Sequence, residues 1–383
     1  MPTNRKTIVF CVALLLFVSV EMFEKTAYYA LESSDIVVLL MRMLRYLSYL
    51  VCCISVLLSS LGRKKLLLIL LMSGIIIISY FASANRHFLL RVLFLFSADD
   101  VSDRSIIKTE ALTQTLWLAV TVVLSMLGVW TDYIFGVTRL RHGLGFSWTT
   151  TAPIVYFYIL MGLVFLYGKK LSIFAVLMLE GINVFFFVMT NTRFSFVLST
   201  LVLLFVAFCQ ISSYPEKVLL KTDRIMCCLP VTCCGISFLG AYSYNGSLKW
   251  MRSINGLLSD RLRLGNMALS KYGITLFGQP IEWVGNSVLS PATSSMKEYN
   301  YVDCSYLQIG LEHGLIVLLL TLTVYTVLMI LYYREKRIFA VFVLAVIVMF
   351  AITEPRLMNF MFNAFPMLLF SRKDQNTILR SDR

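Results

Sequence analysis

Histidine is nearly missing from this sequence: three residues in 383, at no spacing that suits a metal. Cysteine is less scarce, with nine, but no CxxC pattern occurs. Six of the nine fall as adjacent pairs, Cys52-Cys53, Cys227-Cys228 and Cys233-Cys234. Neighbouring cysteines on a helix point in different directions, so these read as small apolar fillers and not as bridges or zinc ligands. Charge is thin as well. Charged residues make 14% of the chain against 58% hydrophobic ones, and the mean hydropathy is +0.79. That excludes a soluble domain of this length, which needs far more polar surface. What remains is an all-α, polytopic membrane protein, since helices satisfy their own backbone in lipid.

Acidic residues are the scarcer charge, and the formal net charge is +13. No zinc-finger spacing or basic aromatic strand motif accompanies the excess, so no nucleic-acid partner is expected. The positive-inside rule accounts for it. About twelve apolar runs are read as spans, at 7–20, 36–61, 66–83, 87–98, 111–130, 150–167, 171–189, 194–212, 225–242, 305–332, 338–352 and 357–370. The first has the basic start of a signal peptide but no small-x-small cleavage site follows, so it is kept as a span. An even count puts both termini on one side. Basic clusters at Arg5/Lys6, 63–65, Lys169/Lys170, Lys217/Lys221/Arg224, Arg334/Lys336/Arg337 and Arg372/Lys373 fall on that side. The expectation is a multi-pass cell-membrane protein with both termini cytoplasmic.

One large loop, 243–303, then lies outside within a single membrane-embedded domain of residues 1–383. Inside it, 259–272 reads as an interfacial helix, capped by Ser259 and ended by Gly273, with Leu262, Leu264, Ala268, Leu269 and Tyr272 as an apolar face. Arginines also fall on this outer side, where the rule expects few: Arg139, Arg141, Arg193, Arg252, Arg261, Arg263 and Arg356. Arg42 and Arg45 share one face of the second run, within it or at its interface.

Four segments carry a resemblance. "RLRHGLGFSWTT" opens the sixth span, and "TNTRFSFVLS" lies at the outer end of another. "SDRLRLGNMALSKYGITLFGQ" is a loop helix ending in a Leu-Phe-Gly turn, and "VDCSYLQIGLEHGLIVLLL" enters the tenth span. In order, side and spacing they resemble the Wzy-type polysaccharide repeat-unit polymerases of bacterial surfaces, relatives of the O-antigen ligases. Ser147-Trp148-Thr149 stands where that family often has His-Pro-Asn. The resemblance implies a GT-C-like arrangement. It also implies a glycosyltransferase that joins undecaprenyl-diphosphate-linked oligosaccharides into capsule, O-antigen or exopolysaccharide at the outer face of the membrane. No cofactor or metal is implied. A flippase and a chain-length regulator are the implied partners. A ligase-like transfer to another acceptor, and a transporter or flippase, are the alternatives.

Displacing a diphosphate from an anomeric carbon calls for fixed cations on the leaving group and a base for the acceptor hydroxyl. Arg193 is the first candidate for the diphosphate, against a snorkelling arginine at a helix end. Arg139 and Arg141 follow, against loop solvation. One of Arg261 and Arg263 is expected to act, against the polar face of an interfacial helix. Asp303 stands where the ligase relatives have a histidine; base and helix cap are both open to it. Glu312 is a second candidate base, against hydrogen bonding between helices. Tyr306 and Trp283 are candidate sugar contacts, with Glu282 and Glu298 as loop carboxylates that suit a sugar groove.

Overall fold

The computed structural model describes residues 2–59, 62–83, 86–136, 140–285, 287–288 and 299–372. Most of the described chain is helical. Helices α1 (Pro2–Phe23), α2 (Ala27–Glu32), α3 (Asp35–Leu57), α4 (Arg63–Ser83), α5 (Arg86–Ser97) and α6 (Asp103–Met126) lead to a short hairpin, β1 (Ile134–Phe135) and β2 (Arg141–His142). Then come α7 (Thr151–Tyr167), α8 (Ile173–Thr190), α9 (Arg193–Ile211), α10 (Tyr214–Met226) and α11 (Leu229–Tyr242). The last group is α12 (Lys249–Leu257), α13 (Arg261–Tyr272), α14 (Ser305–Gln308), α15 (Leu315–Arg334) and α16 (Ile338–Phe350).

Among the described residues, eight helices are long and apolar enough to cross a membrane: α1, α3, α4, α6, α7, α8, α9 and α15. About twelve were expected, and the other four expected runs explain the difference. Helices α11 and α16 are apolar but have only 14 and 13 residues, and α5 has 12. The run 357–370 is not a helix; after α16 it holds turns and one 3-10 segment, Phe365–Leu369.

An irregular backbone among apolar helices needs polar partners from outside itself. Helix α6 supplies them from one face, four residues apart. The Glu110 carboxylate accepts the Ala364 N–H at 2.7 Å, and Gln114 Nε2 donates to the Met361 and Phe362 carbonyls at 2.8 and 3.0 Å. From α15, the Tyr325 hydroxyl donates to the Leu357 carbonyl at 2.9 Å, and Asn363 Nδ2 bonds the same carbonyl and the Tyr325 oxygen. Gln114→Leu leaves two buried carbonyls without their donor. A cost of about 1–3 kcal/mol for each unsatisfied group is expected, read as a lowered unfolding midpoint of the detergent-solubilised protein, while Gln114→Glu keeps only part of the loss.

The tenth expected span, 305–332, is broken. Helix α14 runs into a π-helical turn, Ile309–His313, and Gly314 (φ 89°) resets the chain before α15. Backbone from the loop seals the break: Gln279 N–H donates to Glu312 O at 3.0 Å, and Leu315 N–H to Thr275 O at 2.9 Å. The approach is so close that a Cβ on Gly278 would stand 2.2 Å from the Glu312 oxygen. The Leu-Phe-Gly turn is thus a backbone dock, and only glycine fits it.

The two ends of the bundle differ. At one, Asp103 pairs with Arg337 and accepts from the Tyr332 hydroxyl at 3.0 Å, while Arg372 O accepts from Asp103 N–H. Lys169 meets Glu216 at 3.0 Å at the same end, beside the basic runs. At the other end, Ala27 N–H donates to Gly145 O and Ser147 N–H to Lys25 O, while Arg261 Nε–H donates to Thr353 O. There the turns after α1, before α7, between α8 and α9, before α13, before α14 and after α16 meet.

Candidate active site

Where those turns meet they enclose a cleft of about 570 Å³. Its charged lining is Lys25, Arg141, Arg193, Arg261 and Arg356 against Asp303 and Glu354. A second cavity, of about 700 Å³, lies on the other side of α13 and is larger. It holds Lys271 and Glu282 and none of these arginines, so size is a poorer guide than chemistry.

Each charged group is placed by a local device. In Thr190-Asn191-Thr192-Arg193, Asn191 takes the left-handed conformation (φ 52°) that ends α8, and Thr190 is fully buried. Asparagine tolerates that backbone better than most residues. The turn delivers Arg193 to the first position of α9, exposed; among the described residues it makes no ion pair or hydrogen bond. The amide ends of α9 add partial positive charge beside it. Arg141, on β2, is tied to the same corner; its Nε–H donates to Thr190 O at 2.8 Å and its Nη2 to Thr192 Oγ1 at 3.4 Å.

Arg261 opens α13 and is held by two carbonyls, Thr353 O at 3.1 Å and Leu258 O at 3.2 Å. Its Nη2 lies 3.8 Å from Asp303 Oδ2 and 3.6 Å from Glu354 Oε1. One guanidinium is therefore shared by two carboxylates. The Asp303 side chain is 32% exposed and that of Glu354 only 8%. Burial raises both carboxyls above their ordinary range, and the Asp303 charge raises Glu354 further, to about 7, while Arg261, Arg356 and Arg141 pull both down. Arg356 lies over the Phe362 ring, 4.9 Å from its centre, and its Nε is buried without a hydrogen-bond partner. Burial and the nearby Arg356 charge lower the Lys25 ammonium.

Of the residues singled out from sequence, Arg141, Arg193, Arg261, Asp303 and Trp283 share this cleft. Trp283 is fixed there by its indole N–H, which donates to Glu312 Oε2 at 2.9 Å. Glu312 itself does not line the cleft; its carboxylate accepts from the indole behind it. Arg263 points away, exposed, against Asp260 at 3.4 Å. Tyr306 is fully buried, donates to Val348 O at 2.7 Å and does not line the cleft. Arg139 and Glu298 lie outside the described residues. Arg45 pairs with Glu24 and Glu21, tying α3 to α1, while Arg42 is exposed. Ser259 does not cap α13; it is itself left-handed (φ 52°), and Asp260 takes the cap position.

Sequence reasoning assigned no role to Lys25, Glu354 or Arg356. The available signal was "TEPR", charged residues with a proline between two apolar runs. The cluster suits an anion carrying several negative oxygens, beside a carboxylate able to take a proton. No family model, curated protein or solved structure matches the chain.

Proposed function

We propose that this protein is a metal-independent glycosyltransferase that polymerises lipid-linked oligosaccharide repeat units, carried on undecaprenyl diphosphate, into a surface polysaccharide. The observation that carries the reading is the cleft itself: five cations against two carboxylates at the end of the bundle away from the basic runs. The positive-inside rule places the basic end, with both termini, in the cytoplasm and the cleft at the outer face of the cell membrane. Undecaprenyl-diphosphate-linked units delivered by a flippase meet the cleft there, and a chain-length regulator acts on the same product.

In the reaction, the acceptor sugar's hydroxyl oxygen attacks the anomeric carbon of the donor chain. The bond from that carbon to the diphosphate breaks, and the electron pair leaves with the phosphate oxygen. Arg193, Arg356 and Lys25 face that developing charge without an ion pair of their own among the described residues. Asp303, the more exposed carboxylate, takes the hydroxyl proton. Trp283 offers a flat apolar face to a sugar ring.

Purified protein in detergent, given synthetic undecaprenyl-diphosphate-linked repeat units and a chelator, is expected to yield a ladder of polymer. Units left single under all conditions would refute polymerisation, and transfer only to a different acceptor would mark a ligase. Cysteine labelling of loop positions near 249–257 from the outside of intact cells checks the sidedness.

A further inference from the structure

We propose that Glu354 is a positioning residue for the base: by sharing Arg261 with Asp303, it keeps that guanidinium from settling on Asp303 alone. The proposal rests on the base assignment above. Arg261 cannot turn toward either acid freely, because Thr353 O and Leu258 O fix two of its N–H groups. The third nitrogen stands 3.6 Å from Glu354 and 3.8 Å from Asp303, near both and hydrogen-bonded to neither.

The backbone makes the sharing rigid. The Ser305 hydroxyl, two residues past Asp303, donates to Glu354 O at 2.6 Å and accepts from Leu357 N–H at 3.0 Å. Ser305 N–H donates to Ala351 O at 2.9 Å. The turn carrying Glu354 is thereby stitched to the turn carrying Asp303.

A general base beside an arginine loses basicity, since the cation stabilises the carboxylate. Asp303 faces three: Arg261, Arg356 and Arg141, with Tyr299 and Tyr301 also alongside. A second buried acid on the same guanidinium offsets that pull. A guanidinium divided between two acids stabilises the Asp303 carboxylate less than one settled on Asp303 alone, while the Asp303 charge makes Glu354 the last of the pair to ionise.

The test is an infrared titration of purified protein labelled with carbon-13 aspartate, the Asp303 band being the one absent from Asp303→Asn. In Glu354→Gln the Asp303 band is expected to titrate at lower pH than in wild type. The acid limb of the polymerisation rate should move down with it, and the plateau rate should fall. In the reciprocal Asp303→Asn protein, Glu354, now without its like charge, should titrate below its starting value of about 7. That second arm stands if Glu354→Gln does not fold. An Asp303 band unmoved by Glu354→Gln, or a Glu354 band unmoved by Asp303→Asn, overturns the proposal. The infrared shifts do not depend on turnover, so a protein that shows them without forming polymer refutes the polymerase reading and leaves the shared guanidinium standing.

Discussion

Asp303→Asn is expected to stop polymer formation as completely as Asp303→Ala, with a rate loss of about 10²–10⁴-fold. Sequence left two roles for this residue, base and helix cap, and they separate at the Asn change. Asparagine caps a helix as well as aspartate does but cannot take a proton. The geometry already weighs against the cap. Helix α14 starts at Ser305, its cap position is Cys304, and no side chain there accepts a helix N–H. The Asp303 carboxylate is turned to the cleft and to Arg261. The check is the rate of ladder formation in both variants, with the unfolding midpoint as a control for folding. An Asn variant that runs at the wild-type rate takes the carboxylate out of the mechanism.

That separation shows where sequence reading stops. Hydropathy found most of the passes, because an apolar run is a local property. It could not tell that 357–370 runs from one end of the bundle to the other without an α-helix. The groups that permit this, Glu110, Gln114 and Tyr325, sit 32 to 254 positions away from the backbone they satisfy. Nor does hydropathy register a single Gly314 within an apolar stretch, although its positive φ breaks the tenth run. The site shows the same limit. Arg193 and Asp303 are legible because each stands at the end of an apolar run, where charge needs a reason. Arg261 and Arg263 are alike in sequence, yet two positions on a helix turn them about 200° apart, so one meets Asp303 and the other Asp260. Tyr306 shares the neighbourhood of Asp303 in sequence and faces Val348. Glu354 and Arg356 enter only through tertiary contact, and nothing local separates them from any charged turn.

Arg356→Ala is expected to leave lipid-linked single units accumulating while polymer disappears, and Arg193→Ala to do the same with a smaller loss. The two arginines are prepared differently for one anion. Arg356 is partly buried, its planar group laid on Phe362 and its Nε without a partner. A buried donor left unmatched costs stability, and that arrangement persists where it is matched during function. Arg193 is exposed and backed by the start of α9, so solvent screens part of what it offers. Each charge-assisted hydrogen bond to a phosphate oxygen is worth about 1.5–3 kcal/mol, which is roughly ten- to a hundredfold in rate where the bond tightens as the diphosphate leaves. Arg356→Lys should restore little, because an ammonium cannot reproduce the stacked, forked geometry; Arg193→Lys should restore more, because there the charge itself matters most. A buried cation of purely structural use predicts the opposite pattern. Arg356→Ala would then lower the unfolding midpoint while the surviving folded protein polymerised at the wild-type rate. Turnover per folded molecule, measured beside the midpoint for all four variants, decides between them.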